Sequence, residues 1–88
     1  MLYLVTSNPL YSKPGDIEEA KVEFKEWLSG LHSKGKVINA FQKIGKGSVI
    51  VFNLESNEEL NEVMSKWLSI VPVPITYEIT PLVNSGLE

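Results

Sequence analysis

The apolar positions of this chain fall into six short blocks with two different periods. The densest is Ser48–Leu54, where Ile50, Phe52 and Leu54 line one face of an extended segment and Val49 and Val51 line the other. A strand with one wet face alternates apolar and polar, so apolar residues on both faces predict a strand covered on both sides. Met1–Asn8 reads the same way, apolar from Leu2 to Val5 before Thr6, Ser7 and Asn8. Lys36–Ile44 is predicted as a further strand, with Val37, Asn39, Phe41 and Lys43 on one face and Ile38, Ala40, Gln42 and Ile44 on the other. Gly45–Lys46–Gly47 makes a short hairpin from it into Ser48–Leu54. In the last block Ile75, Tyr77 and Ile79 alternate with Thr76, Glu78 and Thr80, the signature of an edge strand with one open side, and Pro81 suits an edge.

The remaining two blocks repeat at helical spacing. Ala20, Phe24, Trp27, Leu28 and Leu31 follow Ile17, with Asp16 as a cap and Glu18 and Glu19 in the first turn, so a helix is predicted over Asp16–Ser33. Gly35 stops it. Ser56–Asn57–Glu58–Glu59 is a capping box, and Leu60, Val63, Met64, Trp67 and Leu68 predict a second helix over Asn57–Leu68. Pro9, Pro14 and Gly15 mark a loop carrying Tyr11, an aromatic placed to cap a pocket or to fold back on the core. Pro72 and Pro74 turn the chain out of the second helix.

The order strand, helix, strand, strand, helix, strand is the ferredoxin-like βαββαβ pattern: an α+β fold with two helices on one face of a four-stranded antiparallel sheet. The first and third strands are expected at the centre and the last at an edge. The other face, taken to carry Tyr3, Val5, Val49, Val51 and Phe41, is too apolar for a soluble monomer, which predicts a homodimer through the helix-free sheet face, a dimeric α+β barrel with a twofold interface.

Composition narrows the function. The chain has 88 residues, read as one domain over residues 1–83 with a tail at 84–88, and a domain this small buries only roughly 60% of its unfolded surface. Leu87–Glu88 reads as a remnant of expression tagging and is set aside. With no cysteine there is no disulfide framework, thiol nucleophile or thiolate metal site, which fits a cytoplasmic location. Net charge is −3 and all eight basic residues are Lys, so the bidentate Arg contacts that serve phosphates and bases are absent. Lys46–Gly47 before a strand invites comparison with RNA-recognition domains, but Ser48, Ile50 and Asn53 stand where stacking aromatics are needed; nucleic acid is not an expected partner. No stretch is apolar and long enough to span a membrane, and the opening residues read as a strand rather than a signal peptide.

Met1–Val5, Gly35, Gly45, Ser48–Phe52, Ser56–Leu60, Pro72–Val73–Pro74 and Pro81–Leu82 together resemble the muconolactone delta-isomerase family, small ferredoxin-like chains that form dimeric α+β barrels. The resemblance covers most of the chain and implies that shape, that assembly and a small organic ligand. The chain departs from the family in its second strand, Val37–Gln42, which lacks the Arg and His of those enzymes, and in a longer stretch before Pro72.

Proton transfer beside a carbonyl needs a positioned base and a means of holding the enolate. Glu55, Glu78 and His32 are the available titratable groups, and none has a neighbour in sequence that would tune it. No catalytic residue is assigned, no metal-ligand spacing occurs and no cofactor is expected. Two classes of function remain. One is a binder or isomerase of a small molecule, with Tyr3, Asn39, Gln42 and Tyr77 as the ligand-binding candidates and Trp27 and Trp67 either beside them or anchoring the helices. The other is a non-catalytic dimerisation or ligand-sensing module.

Overall fold

A computed structural model describes residues 1–10, 18–71 and 74–86. Six elements follow in the expected order: β1 (Leu2–Pro9), α1 (Glu18–Ser33), β2 (Val37–Gln42), β3 (Ser48–Asn53), α2 (Asn57–Ile70) and β4 (Ile75–Leu82). The strands form one antiparallel sheet in the order β2-β3-β1-β4, with β1 and β3 central and β4 at an edge. The expected cap at Asp16, the loop with Tyr11, the Pro72–Val73 dipeptide and Leu87–Glu88 lie outside the described residues.

Both helices cover the same face of the sheet, and the core lies between. Tyr3 and Val5 of β1 stand opposite Phe52 and Ile50 of β3, and all four are buried under the helices. This corrects the expected helix-free face, to which Tyr3 and Val5 were assigned. Both side-chain rows of β1 are apolar, so a period of two separates the rows without saying which one meets the helices. The row that turns away is Leu2, Leu4 and Thr6, in register with Asn53, Val51 and Val49, and it is half-buried even in the single chain. Phe41 flanks it from β2, 62% exposed, and Leu82 from β4.

The faces of β2 are also corrected. Val37 pairs with Phe52 but Asn39 pairs with Val51, because a bulge admits Ile38 as an extra residue. Val37 thereby joins the core, while Asn39 and Phe41 turn to the helix-free side. The strand ends at Gln42, and the hairpin is closed at Lys43, whose N–H donates to the Gly47 carbonyl at 3.0 Å.

The helix ends are built as the sequence dictates. α1 closes in a Schellman turn: the Lys36 N–H donates to the Leu31 carbonyl at 2.9 Å, the Gly35 N–H donates to the His32 carbonyl at 3.0 Å, and Gly35 takes φ 76°. α2 opens on Ser56, whose hydroxyl accepts the Glu59 N–H at 3.1 Å. The Glu59 carboxylate reaches back to the Glu55 N–H at 3.2 Å and pairs with Lys36 at 2.8 Å, tying α2 to the start of β2. α2 continues two residues past the expected end at Leu68, burying Ile70 and leaving Leu68 53% exposed. At the centre Trp67 meets Phe24 at 5.2 Å, Phe52 at 6.3 Å and, edge-on, Tyr77 at 5.0 Å, so one indole joins α1, β3 and β4.

Candidate functional site

The helix-covered face does not fill completely. Between the first half of α1 and the β1–β3–β2 side of the sheet lies a partly enclosed cavity of about 530 Å³, within the size range of small-molecule sites. Phe24 and Leu28 of α1 form its roof, Ile50 and Trp67 its inner wall, and Ala40 and Gln42 its flank on β2. The lining is mainly apolar. Among the described lining residues the charged ones are Lys21 and Lys25, both on α1.

One end is polar. Ser7, at the end of β1, is 3% exposed and is the one buried polar residue among those described. Its Oγ accepts the Ser48 N–H at 2.9 Å, and its hydroxyl faces the Ser48 carbonyl at 3.5 Å. Lys43 fixes the backbone here by donating from Nζ to the Ser7 carbonyl at 3.3 Å and to Asn8 Oδ1. Gly47 permits the approach: its φ is +104°, and a Cβ there would stand 2.2 Å from the Ser7 carbonyl oxygen.

Of the four ligand candidates, Gln42 lines the cavity and the others lie elsewhere. Tyr3 is 3% exposed and its hydroxyl donates to Asn57 Oδ1 at 3.0 Å, so it ties β1 to the first turn of α2. Asn39 stands on the helix-free side and borders a second, more open groove of about 380 Å³ between α1 and β2, together with His32. Tyr77 packs on Trp67, with its hydroxyl enclosed and without a hydrogen-bond partner among the described residues; burial pushes its pKa up to about 12. Of the two tryptophans, Trp67 is both core anchor and cavity wall, and Trp27 packs at its side, tilted by 59° with ring centroids 6.3 Å apart. Glu55, Glu78 and His32 are exposed and do not converge on the cavity. No cluster of three His, Asp or Glu able to hold a metal occurs among the described residues, and no helix there is long and apolar enough to cross a membrane.

Ser7, Lys43, Gly47 and Ser48 escape a reading of the sequence for chemistry. Thr6–Ser7–Asn8 looks like the polar end of a strand, and only the pairing of β1 with β3 carries Ser7 indoors.

Two solved structures share this chain's fold over nearly their whole length. The 5-chloro-2-hydroxyhydroquinone dehydrochlorinase TftG of Burkholderia phenoliruptrix AC1100, solved with 2,5-dihydroxybenzoquinone, superposes with a TM-score of 0.69 at 15% identity, over 97% of this chain and 96% of that one. The fold is ferredoxin-like α+β. Protein Atu4242 of Agrobacterium tumefaciens superposes with a TM-score of 0.52 at 16% identity, over 99% of this chain and 98% of that one. No protein-family model matches the ferredoxin-like chain, and no curated protein is similar to it in sequence.

Proposed function

We propose that this protein binds, and in its enzymatic form isomerises or otherwise transforms, a small organic molecule held between α1 and the sheet. The observation that carries the reading is the partly enclosed, mainly apolar cavity with a polar end at Ser7 and Ser48. Support comes from the shared fold with TftG, a dehydrochlorinase solved with a quinone, and from the resemblance to muconolactone delta-isomerases. The working unit in this proposal is a homodimer closed through the helix-free face. The row Leu2, Leu4, Val49 and Val51 with Phe41 beside it is an apolar surface that a second copy would cover, giving an α+β barrel. The lack of cysteine supports a cytoplasmic setting.

One observation favours the alternative, a non-catalytic sensing or dimerisation module: among the described cavity-lining residues there is no His, Asp or Glu to move a proton. Thermal melts of the purified chain against a panel of quinones, lactones and small carboxylates separate the two. A ligand that binds the native state alone raises the melting temperature, by mass action. Turnover of a stabilising compound supports an enzyme, and stabilisation without turnover supports a sensor. A melting temperature that no panel member moves leaves only the dimerisation module.

A further inference from the structure

The outer rim of β2 carries unused hydrogen-bonding groups, and the bonds on its inner side fix where they lie. The Lys43 N–H donates to the Gly47 carbonyl, so these two residues face each other across the hairpin as a bonded pair. One step along, Gln42 stands opposite Ser48, whose N–H turns the other way, to Ser7 Oγ at 2.9 Å. Bonded and unbonded pairs alternate along an antiparallel ladder, so Gln42 and, two residues back, Ala40 aim their N–H and C=O groups away from β3. No strand lies on that side among the described residues, and every residue from Ile38 to Gln42 is exposed. The ladder is regular only from Asn39 onward, because the bulge at Ile38 breaks the register before it.

A rim this short is selective about its partner. A second copy of β2, laid antiparallel, satisfies all the outward groups in one register: Ala40 opposite the partner's Gln42, Gln42 opposite the partner's Ala40, and a twofold axis beside Phe41. That register gives four backbone hydrogen bonds and brings the two exposed Phe41 rings together as a cross-strand pair on the helix-free side. Sliding the strands by two residues puts Gln42 against the bulge at Ile38 or Ala40 against Ile44 in the hairpin turn, and leaves two of the four bonds. Charge agrees with self-pairing. Val37–Gln42 is uncharged, and Lys43 falls opposite the partner's Asn39 instead of a second lysine. The groove of about 380 Å³ between α1 and this rim is also lined without Asp, Glu or Lys among its described residues. The opposite rim of the sheet, β4, carries Glu78 and Pro81 and is unsuited to the same pairing.

We infer that β2 is a self-recognition strand, through which two copies join rim to rim about Phe41 into one eight-stranded antiparallel sheet. This contact is separate from the face-to-face homodimer proposed above, and the two together give a tetramer. It engages about five residues a side, against roughly 20–30 in a standard interface, so it is the weaker of the two and forms at higher concentration.

The chain has no cysteine, so a single introduced thiol reports the register. The experiment compares Phe41→Cys with Ile44→Cys, each in a Val51→Lys background that removes the face-to-face contact, at millimolar chain in a glutathione redox buffer. Residues opposite each other in an unbonded pair have Cα atoms about 4.5 Å apart, within disulfide range. Phe41→Cys is expected to link into a covalent dimer at least about tenfold faster than Ile44→Cys, which is the more exposed position but stands far from its twin in this register. Amide exchange of the unsubstituted chain, followed by NMR, gives a second readout that needs no variant to fold. Ala40 and Gln42 are expected to exchange at least about threefold more slowly at millimolar than at micromolar concentration, while Lys46 in the turn keeps one rate.

Equal linking rates at the two positions, or Ala40 and Gln42 amides indifferent to concentration, overturn the inference and leave the face-to-face dimer and the cavity untouched. Slowed exchange brought by an unrelated Thr–Val hexapeptide, and not by the chain itself, gives the rim to a foreign strand and overturns self-recognition as well.

Discussion

At the scale of single residues, two positions carry more than their size suggests. Gly47 is one. Its φ of +104° and the 2.2 Å that would separate a Cβ from the Ser7 carbonyl oxygen leave no room for a side chain. Gly47→Ala is therefore expected to cost about 2 kcal/mol or more in urea unfolding, because either the hairpin or the end of β1 must move. Tyr77 is the other. Its enclosed hydroxyl has no partner among the described residues, so Tyr77→Phe is expected to leave stability unchanged or raise it by up to about 1 kcal/mol in the same assay. The phenol also sets a limit at high pH. Burial raises its pKa from 10.0 to about 12, so the unfolded chain ionises first and stability falls as pH climbs from about 10 towards 12. The loss should disappear in Tyr77→Phe, as read from melting temperatures across that range. Neither role was legible beforehand. Gly47 looked like ordinary hairpin glycine, and Tyr77 looked like a ligand candidate because alternation gives a row but not its depth.

At the scale of elements, local chemistry was readable and long-range register was not. The capping box at Ser56–Glu59 announced the start of α2, and Gly35 the end of α1, because both act within one turn of chain. Ser56→Ala is expected to cost about 1 kcal/mol, measured by urea unfolding. Glu59 has a wider part: Lys36 and the Glu55 N–H together hold its carboxyl below the ordinary glutamate range. A depressed carboxyl contributes stability above its unfolded pKa and loses it as pH falls through the folded one. Glu59→Gln should therefore flatten the fall of melting temperature on acidification below about pH 4.5, while leaving the high-pH behaviour to Tyr77. The bulge at Ile38 gave no signal, since Val37–Ile38–Asn39–Ala40 fits a regular strand equally well. It decides that Val37 is core and that Asn39 turns away from the cavity. The extension of α2 to Ile70 was hidden for a similar reason: Leu68 and Ile70 are both apolar, and only the packing chooses between them.

At the scale of the whole molecule, the strand order followed from which strands are apolar on both sides. β1 and β3 are central and β4, which alternates, is an edge. The polarity of the free face was legible, and its membership was not, because Tyr3 and Val5 exchange places with Leu2 and Leu4 when the sheet is turned over. The proposed dimer can be tested there. Val51 stands at the middle of that face, between Leu4 and Asn39, so Val51→Lys is expected to convert a dimer to monomer in sedimentation velocity without unfolding the helix-covered core. A wild-type chain that sediments as a monomer at micromolar concentration would sink the barrel. The cavity was not legible at all, since it is bounded by residues from α1, α2 and all four strands that no sequence window contains together.

The outer rim of β2 has a last consequence. Val37–Gln42 holds no charge and no proline, its far side has no strand beside it among the described residues, and Phe41 and Ile38 stand out from it. Such a rim templates fibrils unless something shields it, and the kink at Ile38 is the single guard the strand carries. Straightening that kink by deleting Ile38 should shorten the lag before thioflavin-positive fibres form.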